Sequence, residues 1–126
     1  MIKLAFPVRR LPRLSRADFQ KYWFEVHGPL VRQHAEALGI ERYVQLHTVD
    51  DPFNDALRAA RGGPEPYDGI AELWWKSREE LEAAVRSPAG QRAALLLLED
   101  EKNFVDHSSS PLWIAEERPI FQRRGT

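Results

Sequence analysis

A chain of 126 residues can bury the core of one domain, and its 43% hydrophobic and 29% charged residues are typical of a globular protein. The net charge of −1 disfavours nucleic acid as a partner, and the absence of cysteine excludes disulfides, thiolate nucleophiles and cysteine metal sites. No signal peptide or membrane-spanning run is evident, so we expect a cytoplasmic, single-domain protein over residues 1–126.

The first elements along the chain are a strand and a helix. Alternating side chains predict the strand from Ile2 to Arg9. Ser15 is a suitable N-cap for the helix, with Asp18 three residues later in the manner of a capping box. Apolar residues then recur at helical spacing: Phe19, Tyr22, Trp23 and Val26.

This helix meets the tripeptide His27-Gly28-Pro29, around which the rest of the chain is organised. Proline has no amide hydrogen to donate, and its ring crowds the carbonyl of Glu25 four residues earlier. Pro29 therefore suits the first position of a new helical segment. That segment is expected to end at Gly39.

Hydrophobic pattern and capping residues place the remaining elements, which are in chain order: strand two (Ile40 to Val49), a short helix begun by Asp51-Pro52 within the loop from Asp50 to Pro66, strand three (Asp68 to Lys76), a second helix capped at Ser77 and Ser87 and running to about Phe104, strand four (Leu112 to Glu117) and a tail over residues 119–126. The order predicts an α+β, ferredoxin-like βαββαβ fold. In that fold a four-stranded antiparallel sheet has both helices on one face.

Two adjacent tryptophans in strand three bear on the oligomeric state. Trp74 and Trp75 point to opposite faces of the sheet, and each would expose a large apolar area if its face were wet. The helices cover one face only, so a second chain packed sheet to sheet would cover the other and enclose a space. We therefore predict a homodimer. The alternative is that the long loop and the tail cover the second face.

Several segments resemble the EthD domain family, which is named for a protein of ethyl tert-butyl ether degradation. They are Leu14-Ser15-Arg16-Ala17-Asp18-Phe19 with Tyr22-Trp23, His27-Gly28-Pro29-Leu30-Val31, Arg42-Tyr43-Val44-Gln45-Leu46-His47, Tyr67-Asp68-Gly69-Ile70-Ala71-Glu72-Leu73-Trp74, and Asp100-Glu101 to Asp106. The resemblance implies a dimeric α/β barrel, in which ferredoxin-like subunits pack sheet against sheet. It leaves the reaction open, since the family is often described under oxidoreductase activity while related proteins include cyclases, dehydratases, isomerases and cofactor-free monooxygenases.

His27 is the leading candidate for a catalytic residue. It lies at the helix break, and imidazole can exchange a proton with an oxygenated ring substrate near neutral pH. The EthD resemblance points to the same residue, because the histidine of the His-Gly-Pro motif is a recurrent site candidate in that family. The alternative is a structural histidine that caps the broken helix or bonds a nearby carbonyl.

Six further residues are expected to bind the substrate: Tyr43, Gln45, His47, Glu72, Trp74 and Asp106. In strand two, Val44 and Leu46 suit the helix side of the sheet. The polar residues between them would then share the helix-free face with Glu72 and Trp74 and line the enclosed space. The alternative is a surface or interface row without a ligand.

Two of these six have alternatives of their own. A desolvated Glu72 would be a usable base at neutral pH, whereas an ion pair with Arg42 or Lys3 would make it structural. Asp106 is expected to bond His27 or to cap a backbone turn, and a pair with the adjacent His107 is less favourable because neighbouring residues orient each other poorly.

Taken together, the residues predict a small cofactor-free enzyme that acts by proton transfer or oxygenation on a hydrophobic, oxygenated or aromatic metabolite. We expect no metal, because His27 and His34 lie two helical turns apart and no other metal motif is present. RNA binding is disfavoured by the lack of a basic and aromatic signature in the first strand. The alternative function is a non-catalytic accessory protein that binds a hydrophobic metabolite.

Overall fold

The computed structural model describes residues 1–125 and has a four-stranded sheet at its centre. In chain order the elements are β1 (Ile2–Val8), α1 (Arg16–Tyr22), a π-helical turn (Trp23–His27), α2 (Gly28–His34), β2 (Arg42–His47), α3 (Pro52–Arg61), β3 (Gly69–Trp75), α4 (Arg78–Arg86), α5 (Pro88–Glu101), a 3-10 turn (His107–Ser109) and β4 (Trp113–Ala115). The strand order is β2-β3-β1-β4, and each neighbouring pair is antiparallel. The predicted ferredoxin-like α+β fold is confirmed.

Serine side chains begin the helices, as predicted. The hydroxyl oxygens of Ser15 and Ser77 accept hydrogen bonds from the backbone N–H groups of Asp18 and Glu80, at 3.0 and 3.1 Å. Each bond satisfies one of the amides that a helix leaves without an internal partner at its N-terminus. The polar residues before each apolar stripe therefore fixed where these helices start.

Strands β2 and β4 are shorter than predicted. Strand β2 covers Arg42–His47 rather than residues 40–49, and β4 covers Trp113–Ala115 rather than residues 112–117. Beyond the ends of β2, single hydrogen bonds remain, from the Glu41 amide to the Trp74 carbonyl and from the Thr48 amide to the Asp68 carbonyl. The chain thus stays hydrogen-bonded to the neighbouring strand segment there without forming complete ladder pairs.

The register of β2 contradicts one prediction about the faces of the sheet. Tyr43 lies opposite Leu73 and Gln45 lies opposite Ala71, and directly opposed residues of an antiparallel pair share a face. Ala71 and Leu73 point toward the helices, so the row from Tyr43 to His47 does as well. The prediction that this row shares the helix-free face with Glu72 and Trp74 is wrong.

The physical reason for this error is the position of β2 at the edge of the sheet. An edge strand has less apolar cover, so its aliphatic residues need not face the core. Leu46, which the prediction assigned to the helix side, faces the other way and is 45% exposed.

Trp74 and Trp75 do point to opposite faces, but both are covered by their own chain. Trp75 packs under the helices, where its Nε1 donates to the Leu38 carbonyl at 2.7 Å. Trp74 is only 8% exposed, because Lys3 and Arg42 each lie over its ring at 4.6 Å. Glu117, two residues after the end of β4, accepts a hydrogen bond from Trp74 Nε1. Residues of β1 and β2 and the segment just after β4 therefore cover Trp74 on the second face.

A buried carboxylate joins the start of β3 to the loop before α1. The Asp68 side chain is 4% exposed and accepts hydrogen bonds from the Arg10 amide at 2.8 Å and from the guanidinium groups of Arg10 and Arg16. Burial alone would raise the pKa of Asp68, but these hydrogen bonds outweigh it and hold the pKa below its ordinary value. The ionised form of Asp68 is therefore the one that the fold stabilises.

Candidate functional site

A cavity of about 320 Å³ lies between the helix side of the sheet and the helices. Its walls are mostly apolar and include the indole rings of Trp23 and Trp75. Three side chains with polar, titratable groups also line it: His27, Tyr43 and Glu101. An apolar cavity with a few converging polar groups is the usual form of a site for a small organic ligand.

A π-helical turn places His27 in the wall of this cavity. Four side chains along the helical segment are buried at intervals of four residues, namely Phe19, Trp23, His27 and Val31. In a regular α-helix such a row would drift by roughly 40° per step, because each residue turns the chain by roughly 100°. The turn at Trp23–His27, in which the Gly28 amide bonds the Trp23 carbonyl, is wider and removes the drift.

Pro29 accounts for the position of this turn. In a regular helix the carbonyl of Glu25 would need the amide of residue 29, which proline lacks. In a π-helical turn the carbonyl of Glu25 instead pairs with the amide five residues later, which is that of Leu30. The predicted interruption is therefore real, but the chain stays helical through it. Val26, which was predicted on the apolar stripe, is 47% exposed for the same reason.

Asp100 holds the His27 ring in a fixed orientation. Its Oδ2 lies 2.8 Å from His27 Nδ1, and its Oδ1 accepts a hydrogen bond from the Tyr22 hydroxyl at 2.6 Å. Burial alone would raise the pKa of Asp100, but the hydrogen bonds from Tyr22 and His27 outweigh it and lower the pKa. An ionised Asp100 accepts a hydrogen bond from Nδ1–H, so Nε2 is the nitrogen of the neutral ring that carries no hydrogen.

The polar row of β2 forms a hydrogen-bonded chain on the same side of the sheet. The Gln45 amide nitrogen donates to the Tyr43 hydroxyl at 2.7 Å and to the Trp23 carbonyl at 2.9 Å. The Gln45 amide oxygen lies 2.7 Å from His47 Nε2, and the His47 ring stacks on Trp23. Gln45 thus bonds the edge strand to the carbonyl that the π-helical turn also uses.

Burial controls the protonation of this row. It raises the pKa of the Tyr43 hydroxyl to about 12, so Tyr43 is a neutral donor at physiological pH. It also lowers the pKa of His47, which favours the neutral ring. Of the row, only Tyr43 lines the cavity that contains His27.

The other residues predicted to bind substrate lie away from this cavity. Glu72 forms an ion pair with Lys3 at 2.7 Å on the helix-free face, beside Trp74. This ion pair is the structural alternative to a role of Glu72 as a base. Asp106 caps the 3-10 turn by accepting a hydrogen bond from the Ser108 amide, and it also accepts from the hydroxyls of Ser108 and Ser109. A ligand-binding role for Glu72, Trp74 and Asp106 stays a prediction, and it would need a site separate from that of His27.

The carboxylate partner of His27 is therefore Asp100 rather than Asp106. Sequence reasoning missed Asp100 and Glu101, although a signal was present. Ala93 and Leu97 form the buried stripe of α5, and residues 100 and 101 continue that stripe one turn later. Carboxylates at core-facing positions of a helix need a buried partner. Here that partner is the histidine of the His-Gly-Pro motif.

The structure is thus that of a ferredoxin-like α+β domain with an oriented imidazole in the wall of an apolar cavity. Residues 11–108 match the EthD domain. The chain belongs to the EthD family, as its sequence motifs predicted.

Solved structures support the same fold. An ethyl tert-butyl ether degradation (EthD) family protein from Bacillus halodurans is 22% identical with a TM-score of 0.61, over 94% of this chain and 99% of that one. An EthD-like protein from Ralstonia eutropha is 17% identical with a TM-score of 0.61, over 99% and 97%. SnoaB, a cofactor-independent oxygenase from Streptomyces nogalater, is 15% identical with a TM-score of 0.51, over 97% and 95%.

At these identities the likenesses show the fold alone. No curated protein matches the chain in sequence. Within residues 1–125, no helix combines the length and apolar character that a membrane span needs.

Proposed function

We propose that this EthD family protein is a cofactor-free enzyme of the cytoplasm that moves a proton to or from a small hydrophobic, oxygenated or aromatic metabolite in a degradative or biosynthetic pathway. The observation that supports this most is the environment of His27. The residue is 5% exposed and its ring lines an apolar cavity, with Nδ1 held by an ionised Asp100. This arrangement fixes the tautomer and leaves Nε2 for the substrate.

The reaction would begin when Nε2 of neutral His27 takes an acidic proton from the bound substrate. The electron pair of the broken C–H or O–H bond stays on the substrate, and the imidazolium is stabilised by Asp100. The Tyr43 hydroxyl would donate a hydrogen bond to the oxygen on which negative charge develops. Return of the proton to another atom gives isomerase-like or cyclase-like chemistry, whereas reaction of the anion with O₂ gives oxygenation.

Anthrone is a suitable probe for both outcomes, because loss of one C10 proton gives an aromatic anion that reacts with O₂. In oxygen-free D₂O, exchange of the C10 hydrogens for deuterium reports proton transfer alone. In air, one anthrone and one O₂ give one anthraquinone and one water, so oxygen uptake reports oxygenation. Exchange above the uncatalysed rate supports the proposal. If a saturating concentration of anthrone shows no exchange above the uncatalysed rate, the proposed proton transfer is contradicted.

The second candidate function is a non-catalytic accessory protein that binds a hydrophobic metabolite. The predominantly apolar lining favours it, since such a wall retains a ligand without requiring chemistry. Trp23 and Trp75 line the cavity, so quenching of tryptophan fluorescence measures probe binding directly. Quenching with anthrone but no exchange of its C10 hydrogens would select this second function.

Replacing Tyr43 with phenylalanine is expected to lower kcat for anthrone exchange by about 10²-fold, because the substrate oxyanion loses one buried donor. The KM should change little, since the ring that forms the wall is retained. Tyr67→Phe is the matched control, because Tyr67 lies under Arg9 outside the cavity lining. An unchanged kcat in the Tyr43 variant would remove Tyr43 from the mechanism.

A homodimer formed through the helix-free face of the sheet is also part of the proposal. Leu46 and Trp113 project from that face and are 45% and 49% exposed. In the tail, Ile120 and Phe121 are 94% and 80% exposed. Exposed apolar side chains around one face of a sheet favour a self-complementary interface. Trp74 no longer supports the dimer, since its own chain covers it.

Light scattering at micromolar concentration is expected to give twice the 14.6 kDa mass of the chain. Leu46→Asp should raise the dissociation constant of the dimer by about tenfold or more, because a charge enters an apolar contact. Leu95→Asp is the control, because Leu95 is exposed on α5 away from the sheet face. A monomeric wild-type protein would refute the dimer.

A further inference from the structure

Two titratable side chains connect the buried His27 to the protein surface. Glu101 Oε2 lies 3.9 Å from His27 Nε2, and Glu101 Oε1 lies 2.9 Å from His107 Nε2. Side-chain exposure rises along this path, from 6% for His27 to 20% for Glu101 and 37% for His107. One carboxylate therefore contacts both the imidazole of the cavity and an imidazole at the surface.

We propose that Glu101 and His107 form a proton relay between His27 and bulk solvent. The proposal rests on proton transfer at His27 and adds the route by which that proton leaves or enters the buried ring. Such a route is needed because the cavity walls are apolar and His27 itself is almost inaccessible to water.

The relay conserves protons at each step. The His27 imidazolium gives its Nε2 proton to Oε2 of the Glu101 carboxylate, which becomes a neutral carboxyl group. The carboxyl group rotates and gives the proton to Nε2 of His107, and His107 releases one ring proton to water. One proton has then left, with His27 neutral and Glu101 ionised again. Proton uptake runs through the same groups in reverse.

The geometry suits a carboxylate that alternates between two partners. The gap of 3.9 Å between Glu101 and His27 exceeds a hydrogen bond by about 1 Å, a distance that rotation of a flexible side chain can close. His107 begins the 3-10 turn that Asp106 caps, so its ring has a defined position beside Glu101.

Asp100 is a poorer exit for the proton. Its two oxygens already accept from Tyr22 and His27, and these hydrogen bonds lower its pKa. The Tyr43 hydroxyl also interacts electrostatically with Glu101, and Asp106 is a second carboxylate that interacts with His107. Of these groups, only Glu101 joins His27 to His107 through both of its oxygens.

The test measures how fast the His27 ring exchanges a proton with solvent, by NMR relaxation dispersion on ring-labelled histidine across the pH range in which that ring titrates. Glu101→Gln and His107→Ala are each expected to slow the exchange on the order of tenfold or more. Added imidazole should restore the rate in His107→Ala and leave the wild type unchanged. His34→Ala, on α2 and outside the relay, should exchange like the wild type.

Wild-type exchange rates in both relay variants would overturn the proposal. His107→Ala keeps the test decisive if Glu101→Gln folds poorly, because His107 is at the surface. Slowed exchange without rescue by imidazole would also refute the relay, since it would indicate a structural effect. If the His27 ring exchanges at the wild-type rate in the relay variants while His27→Ala still loses anthrone exchange, the relay is refuted and the proposed function stands. The two failures are therefore distinguishable.

Discussion

Replacement of His27 by alanine is expected to lower kcat for anthrone exchange by about 10²- to 10⁴-fold, which is the usual contribution of a positioned general acid or base. The physical reason is that no other imidazole lines the cavity in the described part of the chain. Binding should change little, because the apolar walls that hold the probe are intact. Quenching of tryptophan fluorescence measures that binding separately from exchange.

Two further variants make this experiment specific. Asp100→Asn should lower exchange by a smaller factor and change its pH profile, because Asp100 acts through the orientation and charge of His27. His34→Ala removes a histidine of the next helix and should match the wild type. Equal exchange in His27→Ala and the wild type would eliminate the general base and favour the accessory function.

The second large effect is on stability. Asp68→Asn is expected to lower the free energy of unfolding by about 3 kcal/mol, as expected when one partner of a buried ion pair is removed. This loss lies at the lower end of the usual range for a broken buried ion pair, because the side chains of Arg10 and Arg16 are 38% and 23% exposed and keep some contact with water. Urea unfolding followed by tryptophan fluorescence measures the difference.

Asp50→Asn is the matched control, because Asp50 pairs with the same Arg16 but is 87% exposed. Its removal should cost less than about 1 kcal/mol. If both variants lose equally little stability, the buried carboxylate is not what holds α1 to the sheet.

The pH dependence of this stability has a definite sign. The folded protein holds the pKa of Asp68 below its ordinary value, so the contribution of Asp68 is complete above about pH 4 and is lost as the pH falls through the folded pKa. The difference in stability between the wild type and Asp68→Asn should therefore shrink on acidification. A difference that stays constant down to pH 2 would contradict the assignment.

Local signals were sufficient for much of the fold. The serine caps at Ser15 and Ser77 and the Asp51-Pro52 start of α3 appear in the structure where the sequence placed them. Each depends on hydrogen bonds between residues two or three apart, so no knowledge of distant contacts is needed. Pro29 likewise marked a change of helical geometry from its missing amide alone.

The orientation of β2 and the partner of His27 depended on contacts distant in sequence. Alternation in β2 identifies two faces but not which one is buried, and the edge position of the strand decided the matter. Asp100 is far from His27 in sequence, and α5 brings it close only when the helices pack on the sheet. The candidate catalytic residue was therefore predictable, while most of its surroundings were not.

The π-helical turn has a consequence for how such a site can arise. A turn of this kind is equivalent to one extra residue within an α-helix. Phe24 and Val26 within it are exposed, whereas Trp23 and His27 at its two ends are buried. Removal of one residue there would leave the histidine three residues after Trp23 in a regular helix, which displaces it by roughly 60° from Trp23 around the helix axis. A single codon can therefore change the direction in which the imidazole leaves the helix, and with it the alignment of His27 with Asp100.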